Sequence, residues 1–273
     1  MIIKTVIEDD IAGEGLTAEH GLCIYVETAN HKLFVDSGQS EKTWENARKM
    51  GIDIENADTL ILSHGHYDHS GGIKTFMRQN SKALIYISEN AAGEFYSKKS
   101  DGMRYIGIDR DILKSERIHL VKGDVSLDSE LDIFRSVLGR EFWPAGNSLL
   151  FEKSEDEYIP DTFEHEQYLV IKEGEKHVLI SGCAHRGILN ILERFKELYN
   201  CDPTMVISGF HTILKQYDEA SIECFKQLAA KLNEKDTLFY TGHCTDKIPF
   251  SVMQEVMGEK LRHLTDLCYN ALL

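Results

Sequence analysis

Short apolar segments rich in β-branched residues recur along the chain and alternate with stretches of helical periodicity. Strands are predicted at 2–7, 22–27, 32–36, 59–62, 83–87, 118–121, 131–134, 148–151, 167–172, 177–181, 204–208, 236–240 and 261–264. Helices are predicted near 44–50, 72–77, 89–96, 187–199, 217–232 and 249–257. Strands gather in each half and each half ends in helices, which indicates a mixed α/β fold. No repeat or low-complexity linker divides the chain, so residues 1–273 are predicted to form one domain.

Periodicity weakens between residues 97 and 144. Charged residues there alternate with single apolar ones, and glycine recurs four times. We interpret residues 97–144 as an insertion lying over a cleft, with its own short strands at 118–121 and 131–134. Three aromatic side chains, Tyr105, Phe142 and Trp143, either contact a substrate from this insertion or pack its own small core.

Composition narrows the class of protein. Net charge is −15, from 45 acidic against 30 basic residues, and no Lys/Arg-rich run appears, which disfavours nucleic acid as a partner. No apolar run approaches the roughly 20 residues that a membrane helix needs. The six cysteines form no C-x-x-C pair, and the start of the chain lacks the layout of a signal peptide. We therefore expect a cytoplasmic protein with reduced thiols and no membrane partner.

The stretch 63–72, Ser-His-Gly-His-Tyr-Asp-His-Ser-Gly-Gly, carries the densest group of metal-capable side chains. Three histidines and one aspartate follow the pattern H-x-H-x-D-H directly after an apolar strand. Side chains two positions apart on an extended chain share a face, so His64 and His66 should point to one side. The following turn should bring Asp68 and His69 to a neighbouring point. Two such clusters a few ångströms apart suit a pair of Zn²⁺ or Fe ions.

This motif resembles the metal-binding motif of the metallo-β-lactamase superfamily. Other stretches resemble one branch of it, often labelled beta-lactamase superfamily II metal-dependent hydrolases, which includes the archaeal dihydropterin–aminobenzene ribofuranosyl phosphate synthases. The stretches that carry the branch resemblance are Ala18-Glu19-His20-Gly21, Asp36-Ser37-Gly38-Gln39, Ser181-Gly182-Cys183-Ala184-His185, Gly209-Phe210-His211 and Thr241-Gly242-His243-Cys244-Thr245.

The resemblance implies a four-layer αββα sandwich, with the insertion near residues 97–144, and a binuclear metal centre. The expected cofactors are two divalent metal ions, with zinc favoured and iron or manganese as alternatives. The resemblance also implies that Asp36, at the end of the third strand, orients a metal ligand; an aspartate that only caps a turn is the alternative.

Ligands beyond the first motif are assigned by comparison with the superfamily pattern. That pattern adds a His, then an Asp or Cys, then a late His. Cys183 and His243 stand at the last two places, whereas the first lacks its usual Gly-His turn near His165 and Glu166. His185 is the natural replacement. We assign His64, His66 and His185 to one ion, and Asp68, His69 and His243 to the other. Cys183 is either a further ligand or a buried inert thiol.

The leading functional hypothesis is a metal-dependent hydrolase that uses a metal-activated water on a small anionic ester or phosphoester. Asp68 and His211 are the candidate catalytic residues: Asp68 orients the nucleophile, and His211 donates a hydrogen bond to a leaving group or phosphate. The ions and the Gly71-Gly72 turn would supply positive potential for the anionic small-molecule substrate. The alternative is a metal-dependent transferase resembling the synthases. A non-catalytic metal-binding module would need a broken ligand set.

Overall fold

The computed structural model describes residues 1–269. Its strands are β1 (Ile2–Ile7), β2 (Cys23–Glu27), β3 (Lys32–Val35), β4 (Thr59–Leu62), β5 (Leu84–Ser88), β6 (Phe95–Lys99), β7 (Gly102–Tyr105), β8 (Ile118–Val121), β9 (Val125–Ser126), β10 (Leu131–Phe134), β11 (Leu150–Ser154), β12 (Glu157–Pro160), β13 (Tyr168–Glu173), β14 (Lys176–Ile180), β15 (Met205–Ile207), β16 (Leu238–Thr241) and β17 (Leu261–His263). Its α-helices are α1 (Lys42–Lys49), α2 (Tyr67–Ser70), α3 (Ile73–Gln79), α4 (Ile188–Tyr199), α5 (Glu219–Asn233) and α6 (Lys247–Met257). Within the described chain, every helix is too short or too polar to cross a bilayer.

Two large sheets form the centre of the molecule. The first has strand order β1-β2-β3-β4-β5-β8, and the second β17-β16-β15-β14-β13-β10-β9. Apolar residues from both, among them Ile24, Ile61, Ile133 and Val178, pack into one shared cluster. Because strand side chains alternate between faces, each sheet has a second apolar face.

Helices cover those outer faces. Trp44 of α1 and Phe76 of α3 pack against the first sheet, in a cluster with Phe34 of β3. The helices α4, α5 and α6 cover the second sheet through a separate cluster that includes Phe195 and Leu228. The layer order is therefore helix, sheet, sheet, helix, and the predicted αββα sandwich is confirmed.

The structure corrects the extent of the predicted insertion. The strands β8 and β10 belong to the two large sheets, where they pair with β5 and β13. Periodicity is weak there because β8 and β9 are edge strands with few buried side chains. A separate four-stranded sheet, of order β12-β11-β6-β7, forms the extra element.

This four-stranded sheet also corrects a predicted helix. Only Glu89–Ala92 of the predicted segment 89–96 is helical, as a 3₁₀ turn. Gly93 then adopts an extended backbone, and the aromatic residues that follow enter β6. Phe95 is buried, and its ring lies 4.1 Å from that of His165.

For three aromatic residues, substrate contact and packing within the insertion were the two alternatives, and all three pack away from the cavity described below. Tyr105 lies on the face of the hairpin β6–β7 that carries Tyr96, with ring centroids 5.5 Å apart. Phe142 packs against the helical cluster of the second sheet, and Trp143 against Phe163, at 5.8 Å between centroids. None of the three lines the cavity described below.

Candidate metal centre

One edge of the sandwich collects the chain segments that carry chemistry. The strands β3, β4 and β5 are parallel, as are β14 to β17. Strand carboxyl ends in each group therefore meet at one edge. Asp36 and the segment 63–69 follow strands of the first sheet, whereas His185, His211 and His243 follow β14, β15 and β16. The residues assigned from the sequence are thus brought together by topology.

His64, His66 and His185 form the first group. Ring centroids are 4.6 Å apart for His64 and His66, 4.9 Å for His66 and His185, and 5.0 Å for His64 and His185. All three side chains are buried, and the Nε2 atom of each lacks a hydrogen-bond partner among the described residues. An unsatisfied buried polar atom costs about 1–3 kcal/mol. Three such atoms in one place fit a bound cation.

Asp68, His69 and His243 form the second group. Asp68 Oδ2 lies 3.6 Å from His69 Nε2 and 3.5 Å from His243 Nε2, and these two nitrogens are 3.2 Å apart. A tetrahedral centre with bonds of about 2.0–2.1 Å separates its ligand atoms by about 3.3 Å. The spacing of the second group therefore also suits a metal ion.

Acceptors behind the rings fix the orientation of the imidazoles. His69 Nδ1 donates to Asp36 Oδ2 at 2.6 Å, and His243 Nδ1 donates to Asp9 Oδ1 at 2.6 Å. His185 Nδ1 donates to Asn147 Oδ1 at 3.0 Å. Burial opposes protonation of His243, but its hydrogen bonds with Asp68 and Asp9 outweigh burial and raise its pKa, so a metal ion there would have to displace a proton. In all three rings, Nδ1 is engaged and Nε2 is the nitrogen that faces the site. Metal-binding histidines usually show this arrangement.

The loop before His64 depends on the same aspartate. Both the backbone N–H and the hydroxyl of Ser63 donate to the Asp36 carboxylate at 2.7 Å, and Ser63 Oγ lies 2.8 Å from His64 Nδ1. Asp36 thus holds parts of both groups through hydrogen bonds, as the resemblance implied.

The pKa values of several candidate ligands are shifted toward the protonation states that bind metal. Burial lowers the pKa of His64, His66 and His185, so these imidazoles stay neutral as metal binding requires. Burial opposes ionisation of Asp68, but the adjacent His69 and His243 outweigh it and hold the pKa of the carboxyl well below its usual range.

Cys183 lies between the two groups. Its Sγ is 3.2 Å from His69 Nε2, and it lies within 4.8 Å of the ligand atoms of both the His64–His185 and the His69–His243 pairs. The preceding Gly182 is required by packing, because a Cβ there would lie 2.2 Å from Ser63 Oγ. Burial raises the pKa of the Cys183 thiol. A cation at either group would reverse that effect.

His211 lies beside the first group and not within it. Its ring centroid is 4.1 Å from that of His185, and its Nδ1 is buried without a partner among the described residues. Its backbone N–H donates to Cys244 Sγ at 3.2 Å. The backbone takes the left-handed conformation at His211 and at His243, which turns the chain sharply after each strand.

His165 and Glu166 were not assigned as metal ligands, and their side-chain polar atoms contact other groups of the protein. His165 Nδ1 accepts from the backbone of Gly65 at 3.0 Å, and its Nε2 lies 3.1 Å from Asp161 Oδ2. Glu166 accepts from the backbone N–H of His185 at 2.7 Å and from the Tyr168 hydroxyl at 2.8 Å. Both residues support the loops that carry the candidate ligands.

Two acidic residues at the site, Asp9 and Glu8, were not predicted from the sequence. Asp9 follows β1 and also contacts His20 Nδ1 at 2.8 Å, and His20 Nε2 lies 3.4 Å from Asp68 Oδ2. Glu8 is buried and accepts from the backbone of His243 at 3.1 Å. The acidic run after β1 was the available signal, because the end of β1 lies at the same edge as the metal motif.

The Gly71-Gly72 turn does not present free N–H groups to an anion. Gly71 N–H donates to Tyr67 O at 2.8 Å, and Gly72 N–H donates to Gly38 O at 3.3 Å. A Cβ at either glycine would fall within 2.1 Å of a backbone oxygen of Ser37 or Gln39. Both glycines therefore serve close packing, and the expectation of an anion site here is wrong.

A cavity of about 270 Å³ opens onto the two groups. Its lining includes Asp68, Cys183, His211 and the hairpin residues Lys99 and Arg104. A larger cavity of about 500 Å³ near α4 and α5 has no His or Cys in its lining. The smaller cavity is lined by six of the candidate site residues: His66, Asp68, Cys183, His185, His211 and His243.

Four layers with a His/Asp/Cys cluster at the shared sheet edge define an αββα protein with a candidate binuclear metal centre. The family model of the metallo-beta-lactamase superfamily matches residues 16–243. The chain belongs to this superfamily, whose members include metal-dependent enzymes.

Individual relatives cover nearly the whole chain. A solved metal-dependent hydrolase of the beta-lactamase superfamily is 29% identical, with a TM-score of 0.80, and the match covers 96% of this chain and 94% of that one. An uncharacterized protein of Methanocaldococcus jannaschii is 28% identical over 88% of this chain and 89% of its own length. The 7,8-dihydropterin-6-methyl-4-(beta-D-ribofuranosyl)-aminobenzene-5'-phosphate synthase of the same organism is 24% identical, covering 94% and 92%.

Proposed function

We propose that this protein is a metal-dependent hydrolase that cleaves a small anionic ester or phosphoester at a binuclear site. The observation that carries the proposal is the set of three buried imidazole Nε2 atoms that lack hydrogen-bond partners among the described residues. Beside them, Asp68, His69 and His243 place their ligand atoms at distances that suit a metal ion, and members of both groups line one cavity. The hydrolase relative with a TM-score of 0.80 supports the same activity class.

The proposed ligands are those of the two groups. His64, His66 and His185 would hold one divalent ion, and Asp68, His69 and His243 the other, with Cys183 shared between them. When bound, such ions polarise a scissile group and lower the pKa of a coordinated water. Zinc is favoured because imidazole and thiolate ligands both suit it; iron and manganese are the alternatives.

Residues of the chain would complete the reaction. Asp68 stays ionised, so that its carboxylate can accept a hydrogen bond from the attacking water and orient it. Water adds to the carbonyl carbon or phosphorus, and the bond to the leaving oxygen breaks. His211 lines the cavity and would give that oxygen a proton.

His20 is a further titratable group at the cavity. Its hydrogen bond with Asp9 raises its pKa against the opposing effect of burial. A protonated His20 would stabilise negative charge developing on the substrate. Glu19, its neighbour, points away, because its carboxylate contacts Ser40 and Lys42.

A transferase is the second candidate. The similarity to the methanogen synthase favours it, since that match covers over nine-tenths of both chains. The same metal groups could assist bond formation on a phosphorylated sugar donor. Products distinguish the candidates: an acid or free phosphate for the hydrolase, and a joined product with pyrophosphate for the transferase.

Hydrolysis should depend on metal. We expect the purified protein to cleave p-nitrophenyl esters or phosphoesters, to lose turnover after chelation and dialysis, and to regain it with Zn²⁺, Fe²⁺ or Mn²⁺. Chelation should also lower the melting temperature, because ions that bind only the folded state stabilise it by mass action. Spectrophotometric assay and thermal unfolding are the measurements.

The predicted cytoplasmic location is a separate expectation, which subcellular fractionation of the source cells would test.

Hydrolysis that is unaffected by chelation would contradict the proposal. Formation of a joined pterin-type product and pyrophosphate, with no net hydrolysis, would replace it by the transferase.

A further inference from the structure

The hairpin β6–β7 brings a second set of chemical groups to the cavity. Side chains alternate between the faces of a strand, so Ser97 and Lys99 share one face of β6 while Lys98 lies on the other. Ser97 pairs with Arg104 across the hairpin, which places Arg104 on the same face. Ser97, Lys99 and Arg104 all line the cavity, and Lys98 does not.

The backbone of the metal motif fixes this hairpin in place. Tyr67 N–H donates to Ile106 O at 2.8 Å, and His66 forms an isolated β-bridge with Gly107. Ile106 lines the cavity two residues after Arg104, as the alternation of strand side chains requires. The backbone just after Arg104 is therefore tied to the metal motif by a direct hydrogen bond.

The two cations at the cavity lack carboxylate partners. Some exposed basic residues elsewhere, such as Lys74, Lys231 and Arg194, pair with acidic side chains, and others, such as Lys98, do not pair with any in the described part of the chain. What distinguishes Lys99 and Arg104 is that they line the cavity. Neither Lys99 nor Arg104 forms a salt bridge within residues 1–269, although the chain has 45 acidic residues. Asp68 is the one carboxylate in the described lining. Positive charge left unpaired in a cleft attracts anionic ligands.

We propose that Ser97, Lys99 and Arg104 form a binding subsite for an anionic group of the substrate, a carboxylate or a phosphate, at the end remote from the scissile bond. This rests on the proposed function and narrows its substrate class to molecules with a charged group separate from the ester that is cleaved. The guanidinium supplies paired donors to planar or tetrahedral oxyanions, and the ammonium and hydroxyl add single donors. The volume of about 270 Å³ restricts such a substrate to a small molecule.

Ligand binding tests the subsite without requiring turnover. The metal-loaded protein is titrated calorimetrically with glutarate and with 3-phosphonopropionate, which separate a carboxylate from a phosphate preference at the remote end. The double variant Lys99→Gln/Arg104→Gln should raise Kd for at least one probe by about 10-fold or more, because each of its two substitutions removes charge-assisted hydrogen bonds. Arg104→Lys keeps the positive charge and should therefore bind the probes more tightly than the double variant does.

Lys98→Gln is the matched control, because it removes the same charge from the other face of β6. Unchanged Kd values in the double variant, or an equal loss in Lys98→Gln, would overturn the subsite. A kinetic arm compares p-nitrophenyl butyrate with the mono-p-nitrophenyl ester of glutarate. The double variant should raise KM for the charged ester alone, with kcat nearly unchanged. An absence of activity on these esters and on p-nitrophenyl phosphoesters, with an intact binding difference, would refute the hydrolase and leave the subsite standing.

Discussion

Asp68→Ala is expected to abolish turnover, with kcat falling by at least about 1000-fold, equivalent to about 4 kcal/mol of activation free energy. The carboxylate lies 3.4–3.6 Å from the Nε2 atoms of His20, His69 and His243, and no other acidic side chain in the described lining could replace it. The measurement is steady-state kinetics on whichever p-nitrophenyl substrate the wild type cleaves.

The fold should survive that substitution. Asp68 contacts polar rings and not the apolar clusters, so far-UV circular dichroism should match the wild type. Asp156→Ala, in the exposed turn between β11 and β12, is the matched control and should retain full activity. Turnover of Asp68→Ala within about tenfold of wild type would show that the carboxylate has no part in the chemistry.

His185→Ala is expected to remove metal from one group selectively. Its Nε2 is one of the three buried, unpartnered nitrogens, and its Nδ1 is held by Asn147. Loss of one of three protein ligands should weaken the ion at His64 and His66 by about 10-fold or more, while the ion at Asp68, His69 and His243 stays bound. Metal titration under a competing chelator measures both affinities.

The control for His185 is His119→Ala, which removes an exposed imidazole from the edge strand β8. It should leave both affinities at wild-type values. Equal weakening of both ions in His185→Ala would mean that the residue supports the loop and does not ligate. Unchanged affinity would remove it from the ligand set.

The sequence predicted the site to the extent that its residues follow strand ends. His64, His185 and His243 each lie within five residues of the end of a strand, and parallel strands bring such positions to one edge without further information. The order of layers was likewise expected from the resemblance. These features depend on local pattern and on topology, both of which a single sequence can show.

Features that depend on packing between distant segments could not be predicted in this way. The Gly71-Gly72 pair looked like an anion turn, but the approach of Gln39 and Ser37 decides its role, and that contact joins residues more than thirty positions apart. Similarly, Asp9 reaches His243 across the sandwich. No spacing rule connects positions so far apart.

The same reason explains the error over residues 97–144. The weak hydrophobic periodicity of this segment indicates that many of its side chains are exposed. Edge strands and inserted loops both have exposed side chains, so the pattern could not distinguish them. The basic residues at the cavity then went unnoticed, because Lys99 and Arg104 are unremarkable until β6 and β7 pair and place them on one face.

The proposed function requires that two ions occupy the two ligand groups. Anomalous diffraction from crystals of the protein purified without chelator, with element-specific energies, tests it directly. We expect two peaks, one within about 2.0–2.1 Å of the Nε2 atoms of His64, His66 and His185 and the other bound by Asp68, His69 and His243. A protein without metal at either group after reconstitution, or an ion bound by His165 and Glu166 in place of His185, would contradict it.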